Sequence, residues 1–185
     1  DKTEFINPLK ICMAVNRHIQ SGDIIVADGG DFVATASYIL QPRSLTGWLD
    51  PGVFGTLGVG SGFVIGAQLT HPESVVWAIY GDGAFGYSLM EFDTFVRHKI
   101  PVIAIIGNDA SWSQIARDQV EILKDSISTE LERTQYHQAV TALGGVGFII
   151  ENEGEIESIL SKARKSAEAG NAVAVNVQIG KSNFR

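Results

Sequence analysis

The chain carries a single cysteine, Cys12. No disulfide can therefore form within it, and a reducing compartment is compatible with it. It also lacks runs of lysine and arginine, and its formal net charge is −7, from 14 basic and 21 acidic residues. That balance argues against a nucleic-acid partner, because phosphate binding needs clustered basic charge. Long hydrophobic runs are missing too. The most apolar stretches, Val75–Tyr80 and Ile100–Ile106, are far too short to cross a bilayer, and no signal peptide is visible. There is no initiating methionine, since the first residue is Asp1. The sequence stops at Asn183-Phe184-Arg185, directly after an apolar strand-like run. Both ends read as cuts. The expectation is a single domain, residues 1–185, of a larger protein, in which localisation signals elsewhere would not be visible here.

What is present suits a packed domain. Hydrophobic residues make up 45% of the chain and charged residues 19%, so a sizeable core is available. Asn7-Pro8 reads as a helix N-cap followed by proline at the first helical position, and Ser21-Gly22 as the end of that helix. Ile24–Ala27 reads as a short strand, Asp28–Asp31 as a turn and Leu45–Leu49 as a further short strand. A glycine-rich run, Gly52 to Gly66, is expected to enter a helix near Gly60. Val75–Tyr80 and Val102–Ile106 are continuous apolar runs, as expected for strands buried on both faces. Ser88 and Glu91 have the spacing of a capping box, which places a helix start after the glycines of Gly81–Gly86. Later come a helix at Tyr136–Leu143, a strand at Phe148–Ile150, a helix at Glu153–Ala169 with a solvated charged face, and a strand at Ala172–Ile179.

Strands alternating with helices predict an α/β, doubly wound, mainly parallel sheet with helices on both faces. Ligands of such sheets bind beyond the carboxyl ends of the strands. Three loops leave strand ends here, Asp28–Asp31, Gly81–Gly86 and Gly107–Trp112, and they are expected to share one edge. Gly81-Asp82-Gly83-Ala84-Phe85-Gly86 fits the dinucleotide pattern G-x-G-x-x-G. Asp82 argues against that use, because it would set a negative charge beside a bare pyrophosphate. A cation between Asp82 and a phosphate removes the conflict, and Mg²⁺ favours that mixture of carboxylate and phosphate oxygens.

Together, several segments resemble the thiamine diphosphate-dependent enzymes. Gly81-Asp82-Gly83, a buried strand and Asn108-Asp109 are similar to the family's GDG-to-NN motif, with Glu91 and Pro101 between them. Gly55-Thr56-Leu57-Gly58-Val59-Gly60 resembles the segment that precedes GDG in the decarboxylase and acetolactate synthase branch. Ala84–Glu91 is closest to the 2-hydroxyacyl-CoA lyase and acetolactate synthase-like branch. The resemblance runs from about Asp23 to Gly180 and covers the diphosphate-binding domain.

It implies thiamine diphosphate and Mg²⁺ as cofactors. Asp82, Asp109 and the backbone carbonyl of Ser111 would ligate the metal. Gly81 opens the loop, and Gly83 and Ala84 would offer backbone N–H groups to the diphosphate. Gly29, Gly30 and Asp31 would touch that group from the other side. The Gly55 carbonyl would accept from the aminopyrimidine amine, and Leu57 would wedge beneath the cofactor. The family has Asn where this chain has Asp109, so Asn108 stands as the fallback ligand. The family's glutamate for the pyrimidine N1′ sits on another domain, usually of another subunit. The resemblance therefore implies a pyrimidine-binding partner domain, a homodimer or homotetramer, and little activity for this chain alone.

The activity it implies is a lyase or transferase reaction on a small-molecule substrate. Cleavage of 2-hydroxyacyl-CoA is preferred, with acetolactate synthase-type condensation of 2-oxo acids as the alternative. A noncatalytic or nucleotide-binding α/β module is the reading from a different class. The resemblance also implies association of the full-length protein with the endoplasmic reticulum; the composition alone fits a cytoplasmic, soluble domain equally.

Plainer readings stand beside these. Asp31 also fits a helix cap, Leu57 an ordinary core position and Glu91 a cap rather than a catalytic acid. Trp112, Ser113 and Gln114 either face the substrate or form a partly packed turn. His18, His71, His98 and His137 show no ligand spacing.

Overall fold

In the computed structural model, which describes residues 5–181, the apolar runs form a parallel sheet. Its strands are β1 (Ile24–Asp28), β2 (Trp48–Leu49), β3 (Val76–Gly81), β4 (Val102–Asn108), β5 (Val146–Ile150) and β6 (Ala172–Gln178). They lie in the order β2-β1-β3-β4-β6-β5 and every pairing is parallel. The helices are α1 (Pro8–His18), α2 (Gly30–Ile39), α3 (Gly60–Thr70), α4 (Asp82–Ser88), α5 (Glu91–His98), α6 (Ser113–Leu123), α7 (Tyr136–Ala142) and α8 (Ile156–Glu168). Among the described residues, no helix is long and apolar enough to cross a membrane.

Every residue of β1, β4 and β6 is buried, which explains why these strands read as continuous apolar runs. The pleat sends alternate residues to two separate cores. Ile25, Trp77, Ile79, Ile105 and Val175 pack under α1, α2 and α8, against Ile11, Phe32 and Leu160. Val26, Ala78, Tyr80, Ala104 and Ile106 face the other way, against Val64, Phe85, Phe92 and Val140. The doubly wound architecture is therefore the one expected. The chain leaves β1 outward to β2 and then returns to β1's other side as β3. The carboxyl ends of β1 and β3 thus flank a topological switch point, where such sheets open a crevice.

Asn7 caps α1 as its place before Pro8 predicts, its side chain accepting from the Leu9 N–H at 2.9 Å. At the amino edge of the sheet, buried Asp23 accepts from both terminal nitrogens of Arg164 (2.7 and 3.2 Å). It also accepts from Trp77 Nε1 (3.0 Å) and the Gln20 N–H (2.9 Å). Arg164 thus departs from the solvated face expected for its helix.

Other local expectations are corrected. α1 ends at His18, before Ser21-Gly22, and β2 is only two residues long. The capping box is not formed. Ser88 is the buried last residue of α4, and Met90 precedes α5 without a side-chain cap. The helix after β3 opens at Asp82, within the glycines rather than after them. The cause is Phe85, whose ring stacks edge-on against Tyr80, Phe92 and Tyr136 at centroid distances of 5.3, 5.7 and 5.2 Å. That packing turns the chain straight from strand into helix.

Candidate functional site

The three loops do gather at the carboxyl edge of the sheet and line one cleft. Gly29, Gly30 and Asp31 enter it from β1. Gly55 and Leu57 come from the glycine-rich loop, and Gly81, Asp82, Gly83 and Ala84 from the β3–α4 junction. Asp109, Ser111 and Trp112 follow β4, and Ser113, Gln114 and Ile115 open α6. The residues marked by the sequence are thus brought together. The cleft floor is bare backbone. A Cβ on Gly29, which has φ 82°, would lie 2.3 Å from Leu57 Cδ2, and one on Gly83 would lie 2.5 Å from the Trp112 ring.

Two carboxylates meet in this cleft because β3 and β4 are neighbours paired at Gly81 and Gly107. Asp82 is buried. Its Oδ1 accepts from the Gly83 N–H at 2.9 Å, while its Oδ2 is buried with no partner. Burial, and then the charge of Asp109, push the Asp82 carboxyl up to about 6; the N–H groups of Gly83, Ala110 and Ser111 oppose that rise. Burial also raises Asp109, against the pull of the Ser113 hydroxyl, which donates to Asp109 Oδ2 at 2.6 Å. The chain turns sharply after Asp109 through Ala110, at φ 57°.

Asn108 faces away from the cleft, as strand alternation requires. Its amide donates to Asn176 Oδ1 at 3.2 Å and to the Thr134 carbonyl at 3.1 Å, so the fallback ligand belongs to a buried ladder between strands. Asp31 does not cap α2, whose N-cap is Gly29. It forms an ion pair with Arg117 of α6. Trp112 packs over Gly83 and beside Tyr87, at 6.2 Å between ring centroids.

Sequence reasoning missed four supports of the site. The Tyr136 hydroxyl donates to the Asp82 backbone carbonyl at 3.1 Å. Arg133 donates to the Asn108 carbonyl (2.6 Å) and the Ile179 carbonyl (3.1 Å), tying the ends of β4 and β6. Arg117 crosses from α6 to α2. Asp28, wholly buried, accepts from the Gly58 and Gly60 N–H groups of the glycine-rich loop. No local motif marks these residues. A buried charge at a strand end, as at Asp28, is the one available signal, since such a group needs donors.

The residues present fit a hard divalent cation and a phosphate. Two carboxylates line the same cleft, and one buried Asp82 oxygen has no hydrogen-bond partner in the protein. Among the described residues, no group of three or more His, Cys, Asp or Glu side chains forms a complete metal cage. A Mg²⁺ ion is usually completed by backbone, water and phosphate oxygens. The first N–H groups of α4 have no helical acceptors and open on the same cleft.

Comparison with known proteins agrees with this chemistry. Residues 28–177 match the family model described as "Thiamine pyrophosphate enzyme, C-terminal TPP binding domain". Over 188 residues the chain is 53% identical to 2-hydroxyacyl-CoA lyase 2 of Danio rerio, covering 100% of this chain and 30% of that protein. It is 49% identical to 2-hydroxyacyl-CoA lyase 2 of Homo sapiens, over 98% of the chain and 29% of that protein. An acetolactate synthase large subunit of Mycobacterium tuberculosis is 34% identical over 93% of the chain and 31% of its own length. The chain thus spans about a third or less of the relatives it matches. A thiamine diphosphate-dependent 4-hydroxybenzoylformate decarboxylase of Rhodococcus jostii has the same fold. Its TM-score is 0.87 at 18% identity, over 100% of this chain and 34% of that one. The unpartnered Asp82 oxygen in the cleft and the match of 150 consecutive residues (28–177) lead to one conclusion: this chain belongs to the thiamine pyrophosphate enzyme family, as its C-terminal cofactor-binding domain.

Proposed function

We propose that this chain is the metal- and diphosphate-gripping domain of a larger carbon–carbon lyase that cleaves 2-hydroxyacyl-CoA to an aldehyde and formyl-CoA. The observation that carries the reading is the pairing of buried Asp82 with half-buried Asp109 in one cleft, with one Asp82 oxygen unpartnered. The choice of reaction rests on the identity to relatives named 2-hydroxyacyl-CoA lyase 2.

In this reading, Asp82, Asp109 and the Ser111 carbonyl hold Mg²⁺. Gly83 and Ala84 donate backbone N–H groups to the diphosphate, with Gly81 opening their loop. Gly29, Gly30 and Asp31 bound the same group from the β1 side. The Gly55 carbonyl would accept from the aminopyrimidine amine, and Leu57 would pack against the cofactor. When bound, thiamine diphosphate supplies a carbon nucleophile and an electron sink for bonds beside a carbonyl. This chain's own part is to bind, orient and shield that group from water. A pyrimidine-side domain, contributed by a second subunit of a homodimer or homotetramer, completes the site. The resemblance favours association of the full-length protein with the endoplasmic reticulum, with the cytoplasm as the alternative.

The test is titration of the full-length protein with thiamine diphosphate, with and without Mg²⁺, followed by assay of 2-hydroxyacyl-CoA and of 2-oxo acids. Metal-dependent binding and release of formyl-CoA are expected. Acetolactate as the sole product would move the protein to the condensation reaction. Tighter binding of NAD than of thiamine diphosphate would overturn the reading.

A further inference from the structure

Strand β1 ends in a carboxylate that the metal and diphosphate grip does not use. Asp28 is wholly buried, and its two oxygens accept from the Gly58 N–H at 3.1 and 3.0 Å. Its Oδ2 also accepts from the Gly60 N–H at 2.8 Å. Among the described residues, the hydrogen bonds joining residues 55–60 to the sheet all end on Asp28. The fit is close, since a Cβ on Gly60 would lie 2.8 Å from both Asp28 Cβ and Tyr80 Cε1. One residue before this anchor, Leu57 reaches over Gly29 into the cleft, and Gly55 turns there with φ 57°. Before them the loop is free of the core, with Val53 and Phe54 exposed.

We infer that Asp28 is a positioning residue: by fixing Gly58 and Gly60 it sets where Leu57 and Gly55 stand over the cleft, and so governs the aminopyrimidine end of the cofactor without acting on the diphosphate end. The inference rests on the cofactor orientation proposed above. A carboxylate is needed because it accepts at both oxygens. The asparagine of Asp28→Asn has the same shape but turns an NH₂ toward an N–H, so at least one anchor bond is lost.

The experiment uses the full-length protein, as wild type, Asp28→Asn, Leu57→Ala and the double variant. Dissociation constants are measured for thiamine diphosphate and for inorganic pyrophosphate, each with Mg²⁺. Asp28→Asn is expected to weaken thiamine diphosphate about tenfold and to leave pyrophosphate within about twofold of wild type. Added to Leu57→Ala, it is expected to weaken thiamine diphosphate by no more than about a further twofold, because both changes act through one contact. Unchanged binding of both ligands overturns the inference. Equal weakening of both, or full multiplication of the two effects, overturns it as well. Asp28→Ser takes the place of Asp28→Asn if that variant does not melt cooperatively. Loss of folding in both would make Asp28 a residue of the fold alone and overturn the inference. Wild type that binds neither ligand would instead refute the underlying cofactor site, so the two failures are told apart.

Discussion

Arg117, on α6, forms an ion pair with Asp31, in the first turn of α2, across the mouth of the cleft. The pair matters because α6 buries none of its own residues. Its apolar side chains Ile115 and Ile122 are exposed, and the Ser113–Asp109 hydrogen bond is a second polar tie to the cleft. Arg117→Ala should therefore loosen α6 and little else. Amide exchange across 113–123 is expected to speed up roughly tenfold, while strands β3 and β4 keep their protection. Unchanged exchange in α6 would show that the pair does not hold it.

The metal-ligand assignment predicts a graded series. Asp82→Ala and Asp109→Ala should each abolish Mg²⁺-dependent cofactor binding while the protein stays folded. Asp109→Asn should retain binding with altered metal preference, because an amide oxygen still suits the ion. Asn108→Ala should leave affinity nearly intact but cost about 1–3 kcal/mol of stability, since it breaks the ladder to Asn176 and Thr134. Affinity measured at fixed Mg²⁺, with melts of the metal-free protein, separates the two effects. Binding lost in Asn108→Ala but kept in Asp109→Ala would shift the ligand by one residue.

The raised Asp82 pKa sets a direction with pH. The carboxyl stands at about 6 in the folded protein, against an ordinary value of 3.8. A raised acid means the folded state holds the proton more tightly than the unfolded one. Its stabilising contribution is complete below about pH 4 and is lost as pH rises through 6, on the order of 3 kcal/mol. Asp109 is shifted the same way. Metal-free protein should thus lose stability from pH 4.5 to 7, and Asp82→Asn should lose less. Mg²⁺ with thiamine diphosphate should restore it at pH 7. Parallel melting profiles for wild type and variant would contradict this.

Residues 52–63 should behave as two segments. Val53 and Phe54 are 99% and 87% exposed, too apolar a pair for an ordinary solvated loop. Amide exchange should be fast through residue 57 and slow from Gly58 onward, where the Asp28 bonds begin and α3 follows at Gly60. A Phe54→Ser change should reduce self-association of the chain when it is expressed without the rest of the protein. Uniform protection across the whole segment would rule out the division.

Strand positions and the shared loop edge were legible in the sequence because burial on both faces leaves unbroken apolar runs such as Val102–Ile106. Asp82 was legible because a carboxylate between glycines conflicts with a bare phosphate. The start of α4 was not, since it depends on Phe85 finding Tyr80, Phe92 and Tyr136, and Tyr136 is 51 positions away. The Ser88–Glu91 spacing misled for the same reason: a local pattern was overridden by tertiary packing. α6 carries an apolar stripe at helical spacing, Ala116, Val120 and Leu123, which escaped notice; in the structure that stripe packs on no core, since α6 buries none of its residues. Arg117, Arg133 and Arg164 look alike in sequence. Only the fold sends one to Asp31, one to strand-end carbonyls and one to Asp23.

The pairing of Gly81 with Gly107 gives the cleft a built-in ruler. Asp82 and Asp109 extend from adjacent central strands, whose separation of about 4.8 Å is a lattice constant of any β-sheet. Sequence drift in the helices and loops can reshape the walls around a substrate, but it cannot stretch that spacing without breaking the most buried hydrogen bonds of the domain. A scaffold of this kind can exchange one substrate for another while its grip on a small ion stays in gauge.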